Sequence, residues 1–214
     1  MSVVAIIPVR SLTTGKTRLA TVLGRSERYQ LNARFLSHTL RVTAAFAVST
    51  VVVSRCAEVL QLARSSGVGH LFEVTRGGLN PALTNASKAA RARGAARIVI
   101  LPADLPFVCA DDLHALVSHA GRAGATIAPD QRRDGTNALC VPAGHSFRFQ
   151  FGASSFLKHK CEAENVGLNM TVLSRPSLAF DIDLPADFLR LQALEGNDRG
   201  THFTNGLTDR DHHE

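Results

Sequence analysis

Short runs rich in β-branched residues alternate with longer amphipathic stretches, and this rhythm restricts the fold more than any other feature of the chain. VVAIIP at Val3 to Pro8, TVVVS at Thr50 to Ser54, RIVILP at Arg97 to Pro102 and ATIAP at Ala125 to Pro129 read as strands. Between them the spacing predicts helices over Ser26 to Ala45, Glu58 to Ser65, Pro81 to Arg93 and Asp111 to Arg122, the last with Asp111 as its N-cap. Strands that are almost continuously apolar are buried on both faces, as in a parallel sheet covered by helices. The expected class is α/β, a single-domain mixed and mainly parallel sheet with helices on both faces.

Beyond Pro129 the rhythm changes to ALCVP at Ala138 to Pro142, a helix over Ser154 to Asn165, then TVLS and LAFDID, which predict a mixed sheet edge. Pro185 to Leu194 reads as a final helix with proline in its first turn. From Gly196 the chain is polar and turn-rich, so the expected division is one domain over residues 1–195 and a poorly ordered tail over residues 196–214. A chain of 214 residues suits one domain, and 45% hydrophobic with 20% charged residues is a globular composition. No apolar run approaches the roughly 18 residues of a membrane span, and MSVVAIIPVR has no basic region leading into a longer apolar stretch, so a cytoplasmic protein with no membrane partner is expected. Cys56, Cys109, Cys140 and Cys161 are scattered singly and read as reduced and structural. No HExxH occurs among the nine histidines, which argues against histidine-based zinc chemistry.

The net charge of +6 hides an asymmetry. The first hundred residues hold 14 Lys and Arg against three Glu, while all eleven Asp lie beyond them. Nucleic-acid binders concentrate basic residues in a stripe or motif, whereas these recur singly along helical segments, so no nucleic-acid partner is expected. A basic part joined to an acidic part suits a polyphosphate and its metal.

Ligands of open α/β sheets lie beyond the carboxyl ends of the strands. After the first strand, PVRSLTTGKTRLA sets Arg10, Lys16 and Arg18 around a Gly15 turn that opens a helix, combining positive charge with free backbone donors for phosphate. A surface loop with a solvated lysine has the same composition. In TRGGLN, Thr75 to Asn80, the paired glycines, Gly78 among them, admit a close ligand, and Asn80 offers donor and acceptor to a base or ribose. The same residues suit a turn capping the helix from Pro81. LPADLP puts Asp104 at the end of the most apolar strand between two prolines. In DID, Asp181 and Asp183 share one side of an extended strand and repel unless a cation lies between them, while Asp187 reads as a solvated helix residue. With Asp104 they make a three-carboxylate set suited to one or two magnesium ions bridging phosphates.

The ordered set PVRSLTTGKTRLA, GGLN, LPADLP, RRDGTNAL, FRFQFGASSFLKH and LAFDIDLPADF resembles the guanylyltransferases that prepare the side-chain precursor of the deazaflavin coenzyme F-420, across roughly residues 3 to 194. GTN after APD, FGxxSFxxH and the terminal DID carry the resemblance together. It implies a glycosyltransferase-A-like nucleotidyltransferase fold and transfer of GMP from GTP to a phosphorylated three-carbon acid (3-phospho-D-glycerate, phosphoenolpyruvate or 2-phospho-L-lactate), with release of pyrophosphate. It implies magnesium on Asp104, Asp181 and Asp183, contact of Lys16, with Arg10 nearby, to the triphosphate, and charge compensation by Lys16 and Arg18, beside the nucleotide contacts read above for Gly78 and Asn80. It also implies donors around Thr136, Gly152 and Ser155 for the acid's carboxylate. Arg10 stands where many relatives carry lysine, which keeps the charge.

Two other readings compete. GKT after the first strand suggests a P-loop kinase, but GxxxxGK[ST] needs glycine where this chain has Arg10. A non-enzymatic nucleotide or nucleic-acid binder suits the basic pI of about 9.7 but not the converging carboxylates. Nothing in the residues sets the oligomeric state, and a homo-oligomer is compatible with them.

Overall fold

The computed structural model describes residues 2–46, 48–73, 77–121 and 123–203, with side chains described as far as residue 196. Seven strands, β1 (Val3–Pro8), β2 (Ser49–Ser54), β3 (Gly69–Phe72), β4 (Arg97–Ile100), β5 (Ala125–Pro129), β6 (Thr136–Pro142) and β7 (Met170–Val172), form one sheet in the order β3-β2-β1-β4-β6-β5-β7. β1 pairs in parallel with β2 and β4, β2 with β3, and β5 with β7, while β6 runs antiparallel to both β4 and β5. The expected mixed, mainly parallel sheet is therefore present. β3 escaped the sequence reading because its four residues, GHLF, are mostly exposed and begin with glycine, leaving no apolar run to detect.

Helices α1 (Arg25–Ala45), α2 (Ala57–Ser65) and α4 (Ala110–His119) cover one face, and α3 (Leu79–Ala92) and α5 (Ser155–Asn165) the other. Alternation along the strands divides the core accordingly. Ile7 and Val52 pack with Leu36, Leu40 and Val59 on the first face, whereas Ile6 and Ile100 pack with Leu83, Ala86 and Phe156 on the second. Each fully buried isoleucine contributes about 1.5–3 kcal/mol through apolar area removed from water.

Both ends of α4 are secured from elsewhere in the chain. Its N-cap is Cys109, not Asp111, and the Asp112 carboxylate closes the cap by accepting from the Cys109 N–H at 2.9 Å. The second Asp112 oxygen accepts from Arg175 at 2.9 Å and Ser177 at 2.8 Å, which fastens α4 to the segment before α6 (Pro176–Ala179). Asp111 is the expected cap because aspartate is a good N-cap residue, but the cap falls at Cys109, where Asp112 supplies the reciprocal bond. At the other end the buried Arg97 guanidinium donates to the carbonyls of Ala120, Gly121 and Gly124. The predicted helix end at Arg122 lies outside the described residues.

LAFDID is not a strand. Its first two residues complete α6, Phe180 leaves it in an extended conformation, and Phe180–Asp183 has no ladder partner. α7 (Pro185–Phe203) runs through Gly196, past the predicted end at Leu194, and the rest of the tail expected to be disordered lies outside the described residues. All four cysteines are free; Cys140 is buried, but Cys109 and Cys161 are exposed rather than structural core residues. No helix among the described residues is long and apolar enough to cross a membrane.

Candidate active site

β1 lies between β2 and β4, where the strand order reverses, and a crevice opens beyond the carboxyl ends of β1 and β4. A cavity of about 480 Å³ lies there, lined by Arg10, Ser11, Gly15, Lys16, Asn32, Asp104 and Asp183 among others. The loop after β1 turns tightly at Gly15, where a Cβ would meet the Ser11 carbonyl oxygen at 2.8 Å and the Asn32 amide at 3.0 Å. It leads into a short 3₁₀ turn, Thr17–Thr21, and not directly into a long helix. Lys16 is not the solvated residue of an ordinary surface loop: its side chain is 8% exposed, and its ammonium group donates to Asp104 at 3.4 Å and to the Ile182 carbonyl. One of its three N–H donors remains after these two bonds. Arg18 is 70% exposed and sits 3.6 Å from Asp183.

The DID segment reaches this site because its backbone pairs with the loop after β4: the Ile182 N–H donates to the Asp104 carbonyl at 3.3 Å. Ile182 is fully buried between its two aspartates, so the alternation expected of a strand survives without a ladder. Burial, followed by the charges of Asp104 and Asp183, pushes the Asp181 carboxyl up to about 6, against the Asn137 amide, which donates to it at 3.2 Å. The three aspartates are thus close enough to repel, yet among the described residues no group of three or more His, Cys, Asp or Glu is arranged to hold a metal ion. Asp187, expected to be merely solvated, accepts from the N–H groups of Asp183 and Leu184 and caps α7. A second cavity of about 140 Å³ is lined by Arg18, Asp130, Gln131, Arg132, Asp181 and Asp183, and it meets the first at Asp183.

On the other side a third cavity, about 520 Å³, shares Arg10 and Pro102 with the first. Val9, Val53, Leu79, Ala82 and Phe151 give it apolar walls, with Gly78 at the start of α3 and the Arg55–Glu73 pair, 3.0 Å apart, as its polar part. Asn80 is not among the residues lining this cavity, and its amide accepts from the Phe151 N–H at 2.8 Å and donates to the Phe151 carbonyl at 3.1 Å. It fastens α3 to the phenylalanine-rich segment instead. Thr75 and Arg76 of TRGGLN lie outside the described residues.

Thr136, Gly152 and Ser155 line none of these three cavities. They gather where β6 begins against the start of α5. The Phe156 N–H donates to the Asp134 carbonyl at 3.0 Å, Asp134 accepts from Ser154, and the Ser155 N–H donates to the Gly152 carbonyl at 3.1 Å. Gly152 has φ +125°, a conformation L side chains rarely adopt. The β5–β6 register shifts between Ala128 and Pro129, and this bulge turns neighbouring side chains to different partners. Thr136 meets His159 of α5, while Asn137 donates to the Leu178 carbonyl and to Asp181. Asn137 therefore joins the Thr136 cluster to the aspartates. Glu73, Arg55, Asn32, Asn137 and His159 had no assigned role in the sequence reading; the GTN and FGxxSFxxH motifs contained two of them.

The chain matches the family described as Guanylyl transferase CofC like over residues 3–207. It belongs to that family. Among curated relatives of this guanylyl transferase, the phosphoenolpyruvate guanylyltransferase of Sphaerobacter thermophilus is 39% identical, covering 92% of this chain and 94% of that one. The 2-phospho-L-lactate guanylyltransferase of Methanothermobacter thermautotrophicus is 36% identical, with 94% and 88% covered. The 3-phospho-D-glycerate guanylyltransferase of Phenylobacterium zucineum is 34% identical, with 86% of each covered. Among solved structures, a nucleotidyl transferase from Methanothermobacter superimposes with a TM-score of 0.67 at 17% identity, covering 92% of this chain and 99% of that one. At such low identity this likeness concerns the fold, which is that of the nucleotidyltransferases.

Proposed function

We propose that this guanylyl transferase moves GMP from GTP to the phosphate of a three-carbon acid, releasing pyrophosphate, as a step of coenzyme F-420 biosynthesis. The observation that carries the reading is the continuous cleft at the carboxyl edge of the sheet, in which an apolar slot, a cationic loop and a carboxylate group follow one another. The slot takes the base. Guanine presents N–H donors beside a carbonyl acceptor, which complement the Glu73 carboxylate and the Arg55 guanidinium; adenine lacks that pattern.

An oxygen of the acid's phosphate attacks the α-phosphorus of GTP, the bond from that phosphorus to the bridging oxygen of the β-phosphate breaks, and the electron pair leaves with pyrophosphate. No protein nucleophile is required, so the chain's work is orientation and charge compensation. Arg10 and the remaining Lys16 donor face the triphosphate from the loop after β1, and Arg18 compensates the leaving group from the rim. Thr136 and Ser155 are buried outside the three cavities, so holding the carboxylate there with Gly152 requires this cluster to open to the substrate; its uncharged donors then orient an anion without adding another cation near the reacting phosphorus.

The donor set fits magnesium. Asp181 is crowded by Asp104 and Asp183, a repulsion a cation relieves, and Mg²⁺ is usually bound by one or two carboxylates together with substrate phosphates and water, which needs no closed cage. One or two of Asp104, Asp181 and Asp183 would hold it together with substrate phosphates and water, and its charge would screen the two phosphates from each other.

Incubation with GTP, magnesium and each of the three acids, followed by mass detection of the diphosphate-linked product, tests this reading. Phosphoenolpyruvate is the first acid to try, being the one named for the relative at 39% identity. Absence of product with all three, or equal reaction of glycerol phosphate, which lacks the carboxylate, would overturn it.

A further inference from the structure

His159 is fully buried on α5, its ring lying between the rings of Phe147 and Phe151 with centroids 5.8 and 4.7 Å away. Both ring nitrogens are engaged by protein. Nε2 receives the Gln150 backbone N–H at 2.9 Å, and Nδ1 lies 3.0 Å from the Thr136 hydroxyl oxygen. A backbone N–H can only donate, so Nε2 carries no proton. Burial also pushes the imidazole down to about 4, so the ring is neutral near pH 7 and its one proton sits on Nδ1. The tautomer follows from the hydrogen-bond network.

The consequence falls on Thr136. Its oxygen must accept from Nδ1–H, and its own proton cannot return along the same line. The hydroxyl proton therefore points away from the ring, and a buried donor of this kind calls for an acceptor. On the other side, Thr136 is flanked by Asn137, whose amide leads directly to Asp181.

We propose that His159 is a positioning residue that fixes the direction in which the Thr136 hydroxyl donates, aiming its proton at the carboxylate of the acid substrate. The inference rests on the acid-binding role read for Thr136. It gives a chemical task to the histidine that ends FGxxSFxxH: a neutral ring locked as the Nδ1–H tautomer occupies one lone pair of the Thr136 oxygen and bars its proton from the ring side, so the O–H is presented as a donor elsewhere. A presented donor favours an anionic oxygen, the stronger acceptor, at that place.

Two measurements test this. Nitrogen-15 NMR of the histidine-labelled full chain, without substrate, should show His159 with a protonated Nδ1 and an unprotonated Nε2 at pH 7. In kinetics, His159→Leu should raise KM for the acid about tenfold, the size expected for one lost hydrogen bond, while KM for GTP stays within about twofold. His159→Asn, which keeps an N–H near the position of Nδ1, should recover the acid KM to within about threefold of the parent. A proton on Nε2 would overturn the proposal whether or not the variants fold. Equal rises in both KM values, or an Asn variant no better than the Leu variant, would make His159 a packing residue only. Because the tautomer is read without turnover, a protein that transfers no GMP to any acid yet shows Nδ1–H refutes the proposed reaction and leaves the tautomer standing.

Discussion

Lys16 has φ 55°, a left-handed conformation that costs a non-glycine residue about 1 kcal/mol or more, and its side chain reaches both Asp104 and the DID backbone. Sequence alone makes it a loop lysine whose removal leaves the melting temperature nearly unchanged; its burial changes that expectation. Lys16→Ala should lower activity and also cost about 1–3 kcal/mol of stability, the range for charge-assisted hydrogen bonds, read as a lower Tm by differential scanning calorimetry. Asp183 is 52% exposed, so Asp183→Asn should leave Tm unchanged while turnover with GTP and magnesium falls about 100-fold or more. Asp104→Asn should lose as much turnover, and a normal rate in either variant would remove that aspartate from the mechanism. His159 adds a pH dependence. Its folded value, about 4, lies below the ordinary value of 6.5, so the unfolded chain binds the proton more readily. Its contribution is present above about pH 6.5 and is lost as pH falls toward 4. Urea midpoints at pH 7 and pH 5 should show this loss in the parent and a smaller one in His159→Asn.

Among elements, α4 is held at both ends by residues outside itself. Burial works to raise the Asp112 carboxyl, but its bonds to Arg175, Ser177 and Cys109 together outweigh burial and hold it below the usual carboxylate range. Its stabilising contribution is therefore present above the unfolded value and is lost as pH falls through the folded one. Asp112→Ala removes the cap of α4 and the tie to α6 in one step and should cost about 2–4 kcal/mol in urea unfolding at pH 7. Because α6 leads into Phe180–Asp183, the same variant should weaken turnover although Asp112 lines none of the three cavities. Unchanged turnover in the folded fraction would show that the DID segment holds its place without α4.

At the scale of the molecule, the cleft is assembled from the loop after β1, the loop after β4 and the segment before α7, which lie far apart in the chain. A nucleotide that bridges them binds only the folded state, so GTP with magnesium at about 100 times Kd should stabilise the protein by about 2.7 kcal/mol, a Tm rise of roughly 5 °C or more. ATP at the same concentration should give a smaller rise. Equal shifts with both nucleotides would remove Arg55 and Glu73 as the readers of the base.

The alternation of apolar runs with amphipathic stretches was enough to determine the class, six of the seven strands at least in part, and the position of Asp104, because burial on both faces of a parallel sheet leaves a strong local signature. The motifs likewise contained Arg10, Lys16 and the DID pair: the first two follow a strand that local pattern reveals, and DID stands out as two carboxylates around a buried isoleucine although the strand expected there is absent. What tertiary structure decided was what each side chain is free to do. Asn80 looks like a base reader in sequence, and in the fold its amide ties α3 to Phe151; Lys16 could in sequence be a phosphate contact or a solvated loop residue, and in the fold it is buried against Asp104 and Ile182. Asp111 looks like a cap, and Asp112 does the capping because Arg175 and Ser177 arrive from the far end of the chain. Hydrogen-bond partners distant in sequence leave no periodicity behind, so the residues a site uses and those that only hold it in place become distinguishable once the chain has folded.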